Sequence, residues 1–469
     1  MQLADFTHFP RLTRFTRRVP STLRVRGFAP TQTSCLAVGP ARLSQSERQV
    51  DHQSERQPQR PRLMSKGVAA GVAAVLSLAA AQAFAQGAGT AAGTSTTASG
   101  AADNGVFDLL VGTYTGSGKS EGIYVYRFDA GTGAITRLSS AQTVNPSYLV
   151  VSKDRQHVYA VNELPGDNGP ASQRGGISAF RFDPPSGQLT FVNRVSSDGN
   201  DPAYLALSPD GRYLLTANYS VASNPGGSFA VFPLEGDRVD PSVLTVHHDG
   251  SGPVKGRQDN SHVHSTVFSP DGRYLFAQDL GADKIYSYRY TPDGSRGLFG
   301  PTESRYTLVK PGSGPRHLIF DQAAKHAYLT TEMNASVSVY DYDDGKLRLR
   351  QTLQMTAPGF KGKVGGSAIH LSPDGRFLYA TNRGDANEIM TYAVNPSDGH
   401  LKLLDRRSTL GKSPREFAID PTGRWLIIGN QDSDSVYFFR RNPDTGELAS
   451  DPKRLEIGSP VDFKFVSPS

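Results

Sequence analysis

SPDGRYLLTAN (208–218) returns as SPDGRYLFAQD at 269–279 and as SPDGRFLYATN at 372–382. Each copy opens on Ser-Pro-Asp-Gly-Arg and runs into a short apolar stretch, the pattern of a tight turn feeding the second strand of an antiparallel pair. Weaker copies begin at Ser152 (SKDRQHVYAVN), Asp321 (DQAAKHAYLTT) and Asp420 (DPTGRWLIIGN), so consecutive starts lie 56, 61, 52, 51 and 48 residues apart. A period near 50 residues marks an array of one repeated supersecondary unit.

Every unit has the same grammar. A short apolar strand such as HLIF or YLALS precedes the turn, and a loop after the second strand leads to a third, such as ISAFRF or SVSVYDY. A further turn leads to a fourth, as in SGQLTFVNRV, DDGKLRLRQTL, SDGHLKLLDRR and TGELASDPKR. Four antiparallel strands form one propeller blade. Six units are complete. A seventh first strand, PVDFKFV, stands alone at the C-terminus, while VFDLLVGTYT, EGIYVYRFD and GAITRLSS near residue 106 supply a second, third and fourth strand without a first. The expected fold is therefore all-β, a seven-bladed β-propeller over 106–469 closed by pairing N- and C-terminal strands in one blade. Closure removes the free sheet edges that invite aggregation.

The first hundred residues read differently. Residues 1–63 are rich in Arg, Ser and Gln without apolar periodicity. From Met64 the chain reads MSKGVAAGVAAVLSLAAAQAFAQ, a basic start, an apolar run and the small-x-small triplet Ala83-Phe84-Ala85. That predicts a signal peptide over 64–85, with translation starting at Met64, residues 1–63 a non-translated or disordered leader, and a periplasmic or secreted product. Residues 86–105 read as a flexible Gly/Ala/Ser/Thr linker. Of 50 Lys/Arg, 12 lie in residues 1–85, against 4 of the 44 Asp/Glu, leaving 38 basic and 40 acidic residues. The remainder is near neutral, which removes the electrostatic case for nucleic-acid binding. One cysteine, Cys35, allows neither an intrachain disulfide nor a Cys-based metal site.

Meander topology selects the site. The start of each first strand and the end of each second strand share one face of the disc, and the Asp-Gly turns share the other. The turns are then structural. The opposite face gathers His262, His264, Arg316, His317, His370, Arg415 and Glu416 before or within first strands, and Asn162, Glu163, Asn218, Tyr219, Gln278, Asp279, Glu332, Asn382, Arg383 and Asn430 after second strands. Convergent polar groups in a concavity are the first site hypothesis. Asn at the end of a second strand equally serves the loop backbone, and His370 stands where alternation permits a core histidine. His264, Arg316, His317, Glu332 and Arg383 depart from what the other repeats carry.

These residues carry a resemblance. GSGPRHLIF (312–320), Glu332 at the end of the next strand and NRG (382–384) one blade later, with HVHSTVF and SPREFAID, make the chain similar to the seven-bladed propeller lactonases from about residue 107 to 467. That family includes bacterial 6-phosphogluconolactonases and fungal carboxymuconate lactonising enzymes. The resemblance implies lactone hydrolysis without a required metal or cofactor, by a catalytic set of His264, Arg316, Glu332 and Arg383. His317, His370, Arg415, Asn218 and Asn382 are the expected substrate-binding residues. No HExxH motif competes with this set. An export signal fits a phosphosugar substrate poorly. A muconate-type cycloisomerase and a non-catalytic secreted scaffold are the alternatives. The expected partner is a small-molecule lactone, with no nucleic acid, no membrane after signal cleavage, and a monomeric protein.

Overall fold

The computed structural model describes residues 105–165, 174–219, 227–295 and 297–468. The expected leader, signal peptide and linker lie outside these residues, apart from Gly105.

The strands form seven antiparallel sheets. Blades 1 to 6 occupy 149–196, 202–247, 263–308, 315–354, 364–408 and 414–456. Within each, the first strand in sequence lies at one edge, and the second and third follow it in space. Blade 7 combines the C-terminal strand Pro460–Val466 with Val106–Thr113, Gly122–Asp129 and Ala134–Gln142. Leu110 faces Lys464 and Val111 faces Phe463 across that joint.

Hydrophobic burial explains why the blades stack. The described core divides into seven clusters, one for each pair of neighbouring blades. Blades 6 and 7 meet through Phe107, Leu109, Phe128, Trp425, Ile427 and Phe438. The Trp425 ring stands edge-on to Phe128 at 5.9 Å, and its indole N–H donates to the Ala130 carbonyl at 2.9 Å. Aromatic pairing and a satisfied indole let a large side chain be buried at this joint.

The repeated turns are built as their sequence predicts. Gly211, Gly272 and Gly375 have φ of 74°, 70° and 70°, the left-handed region that favours glycine. Asp210 accepts from Ser208 and Arg212, and the Tyr213 N–H donates to Ser208 Oγ. The copies at 269–274 and 372–377 repeat these bonds.

Two outer strands differ from expectation. TGELASDPKR was expected to form the fourth strand of blade 6, yet its outer strand is only Lys453–Glu456. Gly446 takes φ of 75° and Pro452 lacks an N–H, so 442–452 turns rather than extends. In blade 2 the outer position is shared by Arg238–Val239 and Leu244–His247, both paired to Ser228–Glu235.

The feature that places the site is a bulge near the start of the inner strand. Register shifts fall between Pro202 and Tyr204, Val263 and Ser265, Pro315 and His317, and Pro414 and Glu416. A bulge breaks the alternation of faces and re-aims a side chain. His264, Arg316 and Arg415 are the extra residues, so Arg316 and His317 can both reach the centre.

Candidate active site

Glu332 is the hub. It follows the second strand of blade 4, and its Oε2 is 3.3 Å from Arg316 Nε and 2.9 Å from Arg383 Nη2 of blade 5. Its Oε1 accepts from Arg257 Nη2 at 2.6 Å. Burial alone would raise this carboxyl; the guanidiniums of Arg383 and Arg316, with Arg257, reverse that and hold it far below the usual carboxylate range.

Arg316 is buried, with 1 % of its surface exposed. Burial, then the charges of Arg383 and Arg415, push its guanidinium down to about 9 against the partial relief of Glu332 and Glu416. It remains a cation at neutral pH, but one under strong pressure to gain an anion. Its Nη1 lies 3.3 Å from both ring nitrogens of His317.

His317 reaches across the centre, 5.4 Å from the Tyr204 ring of blade 2 and 6.4 Å from the Tyr148 ring of blade 1. His264 of blade 3 stands edge-on to His317 at 5.2 Å. Burial, with Arg316 next, keeps both imidazoles well below the ordinary histidine range, so both are neutral at pH 7. The His264 Nδ1 has no hydrogen-bond partner among the described residues.

A second arm joins blades 1, 6 and 7. Arg415 Nη2 is 3.4 Å from Glu163 Oε2, and its guanidinium lies over the Tyr114 ring at 5.2 Å. The Tyr114 hydroxyl donates to Glu163 at 2.7 Å, and Ser147 also bonds this carboxylate. Arg257, Arg316, Arg383 and Arg415 thus face two carboxylates, Glu332 and Glu163. With neutral histidines, the described mouth carries excess positive charge. No group of three or more His, Cys, Asp or Glu placed to hold a metal occurs among the described residues.

The expected residues do not all share this cluster. His264, Arg316, His317, Glu332, Arg383 and Arg415 gather. His370 stands apart from the cluster, and its side chain is 39% exposed; its Nε2 meets Glu416 Oε1 at 2.7 Å, and the other Glu416 oxygen is 3.9 Å from His317 Nδ1. Asn218 donates to the Ser197 carbonyl and to Ser228 Oγ, and Asn382 accepts from the Gly365 N–H, so both amides tie loops and strands. Asn162 and Asn430 do the same at Val144 and Thr409. Arg257 and Tyr114 were not among the expected residues. Tyr114 obeys the rule that selected Glu332, since it directly follows the second strand of its blade. Arg257 lies in the 249–262 insertion, where the repeat offers no template.

Asp279 holds that insertion. Fully buried, it accepts from Ser261 Oγ at 2.6 Å and from the His262 and Ala282 N–H groups at 2.8 and 3.0 Å. Burial opposes its charge, but the nearby His248 and these donors keep its carboxyl below the usual range. A depressed carboxyl contributes stability above its unfolded pKa and loses it as pH falls through the folded one. Asp279→Asn is expected to cost about 1–3 kcal/mol at pH 7, read as a lower melting temperature. The gap to wild type should narrow below about pH 4; a gap that is the same at pH 7 and at about pH 3 would refute the assignment.

Comparison with known proteins gives the family. The family model described as "Lactonase, 7-bladed beta-propeller" matches residues 108–465. The chain belongs to that family. It is 35% identical over 360 residues to a 6-phosphogluconolactonase of Bacillus subtilis (strain 168), covering 76% of this chain and 97% of that protein. It is 34% identical over 353 residues to a 6-phosphogluconolactonase of Formosa agariphila, covering 74% and 96%. Among solved structures, the periplasmic gluconolactonase of Pseudomonas aeruginosa superposes with a TM-score of 0.74 at 45% identity, covering 78% of this chain and 100% of that one. Propeller lactonases named for a phosphorylated and for a plain sugar lactone are thus both among its relatives.

Proposed function

We propose that the protein hydrolyses a sugar lactone at the mouth of the propeller, with Arg316 stabilising the oxyanion and His264 accepting the proton of the attacking water. The observation that carries this is Arg316, a buried guanidinium whose charge is only partly compensated. A carbonyl oxygen gains negative charge as water adds, and a preorganised cation in a dry site favours that change. Arg383 shares Glu332 with Arg316 and supports the same oxygen. The neutral His264 takes a proton from water as the carbon–oxygen bond forms. When the tetrahedral intermediate collapses, the ring carbon–oxygen bond breaks, and the imidazolium returns its proton to the departing hydroxyl. The new carboxylic acid then ionises. Glu332 is better suited to stabilising the imidazolium than to acting as the base, because three guanidiniums already hold its charge.

The test is proton release from 6-phosphogluconolactone and from plain gluconolactone, above the rate without enzyme. Catalysis of either supports the reading, and catalysis of neither refutes it.

Export belongs to the same proposal. It is supported by the apolar run after Met64 and by the relative named as periplasmic. Intact mass of protein recovered from the periplasm should place the mature N-terminus just after Ala85; a mature chain that retains residues 1–63 would overturn the assignment.

A further inference from the structure

Arg257 differs from the other three arginines of the mouth. Its side chain is 48% exposed, against 2% for Arg316, 18% for Arg383 and 15% for Arg415. It reaches the site from the 249–262 insertion rather than from a blade strand, and its described carboxylate partner is Glu332 at 2.6 Å. That insertion is anchored by Asp279 and by Gln258, whose Nε2 donates to the Leu280 carbonyl at 2.8 Å. The guanidinium therefore sits on a fixed base with a solvent-facing head.

We propose that Arg257 distinguishes an anionic lactone from an uncharged one by exchanging Glu332 for the substrate's phosphate or carboxylate group. The inference rests on the lactonase reading of the site. Glu332 can release Arg257 because Arg316 and Arg383 still hold it, whereas a buried arginine released from its carboxylate would be left uncompensated. A planar guanidinium is also the group best matched to a phosphate or carboxylate.

The exchange acts on the chemistry as well as on binding. The charges and titratable groups facing Glu332 are Arg257, Arg316, Arg383, His264, Arg415 and Tyr219. Once Arg257 turns to the substrate anion, one cation fewer holds Glu332. Its negative charge then supports the imidazolium that forms at His264. An anionic substituent remote from the reacting carbonyl thus strengthens an interaction made only in the transition state.

The experiment compares wild type and Arg257→Met on three lactones: 6-phosphogluconolactone, an aldarolactone bearing a free carboxylate, and plain gluconolactone. A fourth arm adds inorganic phosphite to plain gluconolactone, with the enzyme-free rate subtracted. Wild type should prefer a charged lactone. Arg257→Met should lower kcat/KM for that lactone about 10- to 100-fold, the size of one charge-assisted hydrogen bond, and raise the rate on plain gluconolactone. Phosphite should accelerate wild type on plain gluconolactone and leave the variant unmoved. Loss confined to the phosphorylated or to the carboxylate substrate identifies which anion Arg257 reads. An equal fall on charged and uncharged lactones, or undiminished turnover of charged ones, would overturn the proposal. A wild type inert towards every lactone overturns the lactonase reading, and this inference with it.

Discussion

Arg316→Met is expected to lower kcat by about 10²- to 10³-fold, the effect of losing one oxyanion donor, while the melting temperature stays the same or rises. The two halves of this result follow from one fact. Arg316 is 1 % exposed and is pressed by Arg383 and Arg415 as well as by burial. Methionine is uncharged and fills the space of the arginine stem, so the substitution removes a desolvated cation and vacates only the guanidinium's own volume. Replacing buried charge by apolar volume is often neutral or stabilising. Glu332 is not abandoned, because Arg257 and Arg383 remain within 2.6 and 2.9 Å. A residue retained for folding would give the opposite pattern, lower stability with turnover largely intact. Steady-state kinetics and a thermal melt on one preparation separate these cases, and an unchanged kcat would remove Arg316 from the chemistry. Arg316→Lys is the companion variant. It keeps a charge but loses the planar fork that spans Glu332 and His317, so it should recover only part of the rate.

How much of this was legible in the sequence depends on which physical rule wrote each feature. The blades were legible because they repeat: the Ser-Pro-Asp-Gly-Arg turn needs a glycine at positive φ and an Asp to gather N–H groups, and it recurs with both. The pairing of Pro460–Val466 with Val106–Thr113 could be argued from unpartnered strands alone. The cluster was half legible. Meander topology brings strand ends together, which gathered Glu332, Arg383 and Glu163 with the other strand-end residues, although Glu163 was not among those expected to act. It could not weigh Asn218 against them, because an amide that ties a loop and an amide that binds substrate occupy the same place in the repeat. Alternation also misleads at the inner strands. Arg316 and His317 are adjacent, and a regular strand would send them to opposite faces; the bulge between Pro315 and His317 brings both to the centre. Nothing in the sequence of one strand announces a bulge, since it depends on the partner's register. Arg257 was illegible for a third reason: an insertion obeys no repeat, and its course is set by Asp279 and Gln258 rather than by its own pattern.

His264→Asn should lower kcat by about 10²- to 10⁴-fold, the usual contribution of general-base catalysis, and the pH profile says whether the loss is of a base or of packing. In the folded protein burial, followed by Arg316, Arg415 and Arg383, holds the His264 imidazole well below the ordinary value of 6.5, and Glu332 offsets only part of this. A base works when it is unprotonated, so wild-type kcat/KM should stay flat as pH falls through about 6.5, declining only at lower pH. That behaviour is the reverse of an exposed histidine, whose activity would already be halved near about 6.5. An asparagine side chain does not titrate there, so the variant's residual rate should lack the acid decline. The neighbouring histidine tests the alternative. His317 is depressed for the same reasons, but Arg316 Nη1 lies 3.3 Å from its ring nitrogens, so it is less free to accept a proton from water. His317→Asn should therefore weaken turnover through the placement of Arg316 while leaving the acid limb where it was. If His317→Asn abolishes that limb and His264→Asn keeps it, the two roles are exchanged, and the water must approach from the Tyr148 and Tyr204 side of the channel rather than from beside Tyr219.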